Sequence, residues 1–200
     1  MLRLAFDGWR SSVAPRSLSR RREPSWSSLT DELAEGECHG PVGDCLFACL
    51  AFWLARATGY GGWIPPSSMR CLAVSELRQG RLEFDNLLYD FFDEAPASVS
   101  YDDLEAVMLD RGASWGNETL LRLWLGAVSR RVLARVGAVV KSESGYVVLT
   151  HDRDDSFDVA VALHYVNNDH YRLLAPRLSR ESVLFFPCGR WCSGPLSRSR

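Results

Sequence analysis

Two hundred residues, 46% of them hydrophobic, with a formal net charge of −2, suit one soluble domain of ordinary size whose core needs no disulfides. The longest apolar run, 46–55, is about half of the roughly 20 residues that cross a bilayer, and the N-terminus lacks the continuous apolar stretch of a cleavable export signal. These features exclude a membrane-spanning helix, and they set the expectation of a cytoplasmic protein whose six cysteines, Cys38, Cys45, Cys49, Cys71, Cys188 and Cys192, are thiols.

Residues 1–28 are rich in Arg and Ser, with Arg16, Arg20, Arg21 and Arg22 clustered, and read as a solvated N-terminal extension. Asp7 and Glu23 argue against a mitochondrial transit peptide, polyanion binding by this basic arm is the second reading after a solvated tail, and a nucleic-acid partner is not expected. The segment Pro41-Val42-Gly43-Asp44-Cys45-Leu46-Phe47-Ala48 then runs a tight glycine turn into an apolar helix. Asp44 is a natural N-cap, residues 46–57 are apolar almost all round, and Thr58-Gly59 ends the helix. Cys45 falls in the first helical turn, where unpaired N–H groups and the positive end of the helix dipole favour thiolate over thiol.

Residues 59–66 form a loop, and Ser67 is the expected cap of a second helix to about residue 79. Residues 81–92 give no consistent period. A third helix starts at Ser100 or Tyr101 and runs to Leu109, with Asp102 and Asp103 in its first turn, and Asn117 caps a fourth over 118–130. Leu120, Leu121, Trp124, Leu125 and Val128 give that helix one apolar face. The nine ionisable residues between Glu83 and Asp110 are all acidic, which reads first as a solvated face and second as a surface that steers a basic partner. Segments 132–140, 146–150, 159–165 and 171–174 are β-branched and aromatic, separated by Ser, Gly, Asp and Asn clusters. Helices followed by strands give an α+β fold with helices packed on a small, mostly antiparallel sheet.

Gly43-Asp44-Cys45-Leu46-Phe47 resembles the Asp-Gly-Asn-Cys-Leu-Phe signature of the ovarian-tumour (OTU) cysteine proteases, most of which are deubiquitinases. Three further blocks follow in the family's order: 67–77 resembles its arginine-containing second helix, Ser114-Trp115-Gly116-Asn117-Glu118-Thr119-Leu120 its Trp-Gly-Gly block, and His170-Tyr171 the His-Tyr pair that opens its last core strand. The resemblance spans about residues 37–174 and implies a papain-like OTU fold over 29–186, between the N-terminal extension and a C-terminal tail of 187–200. It implies Cys45 as nucleophile and His170 as general base and acid, with an oxyanion held by the backbone of Val42, Gly43, Asp44 and Cys45. Ubiquitin or a ubiquitin-like protein is the implied partner, acted on by a monomer without metal or cofactor, in the host cytoplasm if the chain is viral or an effector.

Two departures stand out. Val42 replaces the first aspartate of the signature, and Arg172 stands two residues after the histidine, where the family usually has an acceptor. Arginine cannot accept a hydrogen bond from imidazole. The orienting group is then sought in Asn167, Asn168 or Asp169, with Asn168 or Asp169 preferred, or upstream in Asp31, Glu35 or Glu37. His39, His151 and His164 are the competing histidines. Trp115 reads first as a core anchor and second as a wall of the substrate channel. Cys188 and Cys192 have a spacing some zinc sites use, but nothing joins them to Cys38 and His39, and no metal is expected. Lys141 is the only lysine against 22 arginines. The alternatives to deubiquitination are polyprotein processing by the same kind of site and a non-catalytic ubiquitin-binding module.

Overall fold

The computed structural model describes residues 33–35, 40, 43–79, 91, 99–151, 157–167 and 169–176. Helix α1, Cys45–Ala57, is the apolar segment expected to cross the fold: Leu46, Phe47, Cys49, Leu50 and Leu54 are completely buried. Each such side chain contributes about 1.5–3 kcal/mol by leaving water. Thr58 closes the helix, and Gly59 follows in the left-handed region at φ +66°. Asp44 occupies the N-cap position but makes no side-chain capping bond, which corrects the sequence reading; its carboxylate is held elsewhere.

Helix α2, Pro66–Leu77, starts one residue before the expected Ser67, with Pro65 at the N-cap and Pro66 in the first turn. A proline there loses no hydrogen bond and is already set at a helical φ, so it displaces serine as the start signal. Helix α3, Tyr101–Leu109, has a full capping box in which the Ser100 hydroxyl accepts from the Asp103 N–H and the Asp103 carboxylate accepts from the Ser100 N–H. Helix α4, Glu118–Val132, begins on Asn117, whose side chain accepts from the Leu120 N–H at 2.9 Å. It ends on Leu133 at φ 55°, a left-handed conformation costly for a side chain that is 80% exposed. Leu133→Gly is therefore expected to stabilise the protein by about 0.5–1 kcal/mol, read as a higher urea midpoint with an unchanged slope.

Strands β1 (Leu33–Glu35), β2 (Val136–Ser142), β3 (Gly145–Leu149), β4 (Val159–Val166) and β5 (His170–Pro176) form one sheet in the order β1-β5-β4-β2-β3. The β2–β4 pair is parallel and the other three are antiparallel, as the expected mostly antiparallel sheet requires. β1 is three residues long, too short for any period to show in sequence. The helices cover one face: α1 packs on β4 and β5 and α4 on β2, and Val161, Leu163, Tyr171 and Leu173 belong to the core cluster there. A smaller cluster of Val139, Phe157, Ala160, Ala162 and Leu174 fills the other. Trp53 of α1 stands edge-on to Trp124 of α4, 5.9 Å between ring centres, and fixes the depth at which α1 sits. None of the described helices is long and apolar enough to cross a membrane.

Candidate active site

Gly43 sits at φ +85°, and a Cβ there would lie 2.8 Å from the Arg111 carbonyl oxygen, so both conformation and space demand glycine. The turn delivers Cys45 as the first residue of α1 with its side chain buried. The Cys45 Sγ accepts a hydrogen bond from the Tyr171 N–H at 3.5 Å, and one helical turn later the Cys49 Sγ–H donates to the Tyr171 carbonyl at 3.5 Å. Helix α1 is thus tied to the start of β5 through both backbone groups of one residue. His170 directly precedes that residue, so its Cα lies within about 6 Å of the Cys45 sulfur by bond lengths alone. A donor aimed at sulfur stabilises its anion, as does the helix terminus, which carries no acidic residue in its first turn.

The Asp44 carboxylate turns away from the helix to a buried arginine. Arg70, 2% exposed in α2, gives its Nε and Nη2 to Asp44 Oδ1 at 3.2 and 3.0 Å, Nη2 also to the Gly43 carbonyl at 2.8 Å, and Nη1 to the Met108 and Ser114 carbonyls at 2.8 Å each. Its guanidinium lies 4.4 Å over the Phe47 ring. All five N–H donors are used, which is the condition for burying a cation without loss. The bond to the Gly43 carbonyl also fixes the peptide plane of Gly43-Asp44, and in a trans peptide the Asp44 N–H must then point the opposite way.

The loop after α3 closes the other side. Arg111 Nη1 lies 3.3 Å from Asp44 Oδ2, and Trp115 Cδ1 would be 3.7 Å from a Cβ on Gly43. Trp115 is 51% exposed, so the reading of it as a core anchor is corrected: it stands at the surface beside the Gly43 turn. Gly116 is more than a turn residue, since a Cβ there would meet Leu46 Cβ at 2.5 Å. Burial pushes the Tyr171 hydroxyl well above the usual tyrosine range, with further contributions from Tyr165 and Cys45, so it remains neutral beside the thiol. Its ring packs on Tyr165 at 4.7 Å.

The competing histidines and acids lie elsewhere on the frame. His151 is committed to a buried cluster: Nε2 lies 3.4 Å from Glu76, which also pairs with Arg130, Nδ1 faces the Arg122 carbonyl at 3.3 Å, and the ring rests on Gly126. His164 lies on β4 opposite Arg172. Asn167, at φ 53°, and Asp169, whose N–H bonds the Val166 carbonyl, form the exposed turn before His170. Glu35 pairs with Leu174, four residues along β5 from His170. Val42, Asn168, Asp31, Glu37, His39, Cys38, Cys188, Cys192 and most of the acidic stretch, including Asp90, Asp93 and Glu94, lie outside the described residues. Within that stretch, Asp102 pairs with Arg78, and Asp103 belongs to the α3 cap. Arg111 was missed in sequence, where an arginine before Gly112 looks like any loop residue. Arg70 was visible through the resemblance of 67–77 to an arginine-containing second helix, but its buried partners Asp44, Gly43, Met108 and Ser114 were not.

No protein-family model matches the chain, and no curated protein sequence does. Solved structures do. An OTU deubiquitinase from Wolbachia pipientis wMel bound to ubiquitin is similar at TM-score 0.50 and 18% identity, over 74% of this chain and 98% of that one. The Hazara virus OTU bound to ubiquitin is similar at TM-score 0.42 and 17% identity, over 84% and 98%, and the viral OTU domain protease from Dera Ghazi Khan virus at 0.46 and 15%, over 74% and 83%. A glycine turn before a helix-start cysteine, an arginine-bearing second helix and a last strand opening on His-Tyr, in an α+β frame that superposes on the Wolbachia enzyme, identify the chain as having the OTU fold.

Proposed function

We propose that this chain is a thiol-dependent deubiquitinase that hydrolyses the isopeptide bond after the C-terminal glycine of ubiquitin or a ubiquitin-like protein. The observation that carries the reading is the seating of the Cys45 sulfur on the backbone of the residue next to His170. Cys45 thiolate attacks the glycine carbonyl carbon, and the negative charge that develops on its oxygen is met by backbone N–H groups of the Val42–Cys45 turn. His170 gives a proton to the lysine amine as the C–N bond breaks, leaving a thioester. Water, deprotonated by His170, then attacks the thioester and frees Cys45. The side chain that orients His170 comes from the turn before it, Asn168 or Asp169, because Arg172 cannot serve. Trp115, exposed beside Gly43, walls the channel that admits the tail of the substrate.

The test is a ubiquitin carrying a C-terminal electrophile, followed by a panel of di-ubiquitins. Covalent labelling at Cys45 and cleavage of at least one linkage are expected. Binding of ubiquitin without labelling would instead support the non-catalytic module that Arg172 and Val42 suggest. Labelling with no di-ubiquitin cleaved would turn attention to polyprotein or ubiquitin-like substrates.

A further inference from the structure

We propose that Arg111 is a positioning residue for the nucleophile, acting through Gly43 by its backbone and through Asp44 by its side chain. The proposal rests on the reading of Cys45 as the reactive thiol. The Arg111 carbonyl is seated against Gly43, close enough that a Cβ on the glycine would be 2.8 Å away, and its guanidinium reaches Asp44 Oδ2 at 3.3 Å. One loop residue therefore contacts both residues that precede Cys45. Hydrogen bonds within the loop and to α2 hold it in that position. The Asp110 carboxylate accepts from the Gly112 N–H at 2.8 Å, the Asp110 carbonyl accepts from the Ser114 N–H at 2.9 Å, and Arg70 Nη1 holds the carbonyls of Met108 and Ser114 at its two ends.

The electrostatic logic follows from burial. Asp44 is 2% exposed and adjacent in sequence to Cys45, so its negative charge opposes formation of a thiolate. Arg70 is bound to Oδ1, and Arg111 meets Oδ2, so two cations surround one carboxylate beside the thiol. Each cation offsets part of that charge, and a positive surrounding is the setting in which thiolates form. On β5 the Tyr171 N–H donates to the Cys45 sulfur, His170 directly precedes it, and the Tyr171 hydroxyl, raised chiefly by burial, also senses Tyr165, Cys45 and Glu118. Arg70 is buried and its contribution is fixed. The Arg111 side chain is 60% exposed, so its contribution is adjustable by salt and by whatever covers the loop.

The experiment titrates the thiol directly, with iodoacetamide as probe and mass spectrometry of the Cys45 peptide as readout, so it needs no ubiquitin and stands apart from the deubiquitinase assay. In Arg111→Gln the pH midpoint of Cys45 alkylation should rise by about half a unit to one unit, a roughly three- to tenfold loss of reactivity below the midpoint. Arg111→Lys should recover most of that shift, because it keeps the charge. Raising salt should move the wild-type midpoint upward and leave that of Arg111→Gln nearly still. Arg135→Gln, which removes an exposed arginine paired with Asp158, is the control and should behave as wild type. An unchanged midpoint in Arg111→Gln, or the same shift in the Arg135→Gln control, would overturn the proposal. Normal alkylation behaviour with no reaction toward the ubiquitin electrophile would leave this proposal standing and remove the deubiquitinase reading.

Discussion

Arg70→Ala is expected to lose about 3–5 kcal/mol of stability, a large part of what a domain of this size has. The loss does not come from an ion pair as such, since a buried pair is roughly neutral against a well-packed apolar replacement. It comes from what remains: a buried Asp44 carboxylate and the carbonyls of Gly43, Met108 and Ser114, all deprived of their donor in a site that water does not reach. Arg70→Lys keeps the charge but offers three donors from one atom, which cannot span acceptors arranged around a planar fork. It should fold with an intermediate loss. Both variants should also lose Cys45 reactivity beyond their loss of folded protein, because the Gly43-Asp44 peptide is no longer held in one orientation. Urea unfolding and iodoacetamide alkylation at a denaturant-free, fully folded temperature separate the two effects. A lysine variant with wild-type stability and reactivity would show that the fork is dispensable.

Cys45→Ala should abolish turnover and labelling by the electrophilic ubiquitin, a loss of at least ~10⁴-fold, with the melting temperature nearly unchanged because only one sulfur atom is removed. Cys49→Ala is the informative companion. Its sulfur is one turn away on the same face and bonds the same residue of β5, yet it has no place in the chemistry, so it should label normally. His170→Ala should cost about 10²–10⁴-fold in turnover, the usual worth of a positioned acid and base. A full loss of activity in His151→Ala with His170→Ala still active would reverse the assignment, although the buried contact of His151 with Glu76 gives it a structural role that a melting curve would reveal.

The elements whose signals are local were legible in the chain. Ser100 and Asn117 cap the helices they were expected to cap, because each needs only a neighbour three residues on. Apart from the three-residue β1, the strand segments followed from their β-branched and aromatic composition, and α1 from its run of apolar residues. The misreadings are tertiary. Asp44 looks like an N-cap until two arginines, 26 and 67 residues away, compete for its carboxylate, and two charge-assisted partners prevail over one backbone N–H. Trp115 looks like core because tryptophan usually is; its exposure depends on Gly43 and the loop around it. The assignment of Cys45 and His170 as a pair rests on the order of four short motifs, since nothing in either segment indicates the other.

That separation has a consequence for how the chain is made. The contact between Cys45 and Tyr171 closes a loop of 126 residues, and β5 is also the strand that joins β1 to β4. Contacts of such range form late, after the local helices have gained what they can. During synthesis the helix bearing Cys45 emerges long before His170, and a chain stopped short of residue 170 lacks the strand that joins β1 to β4. Under the proposed assignment the site is therefore complete only once β5, the last of the described strands, has docked, and a chain truncated upstream of it is expected to carry an unreactive thiol.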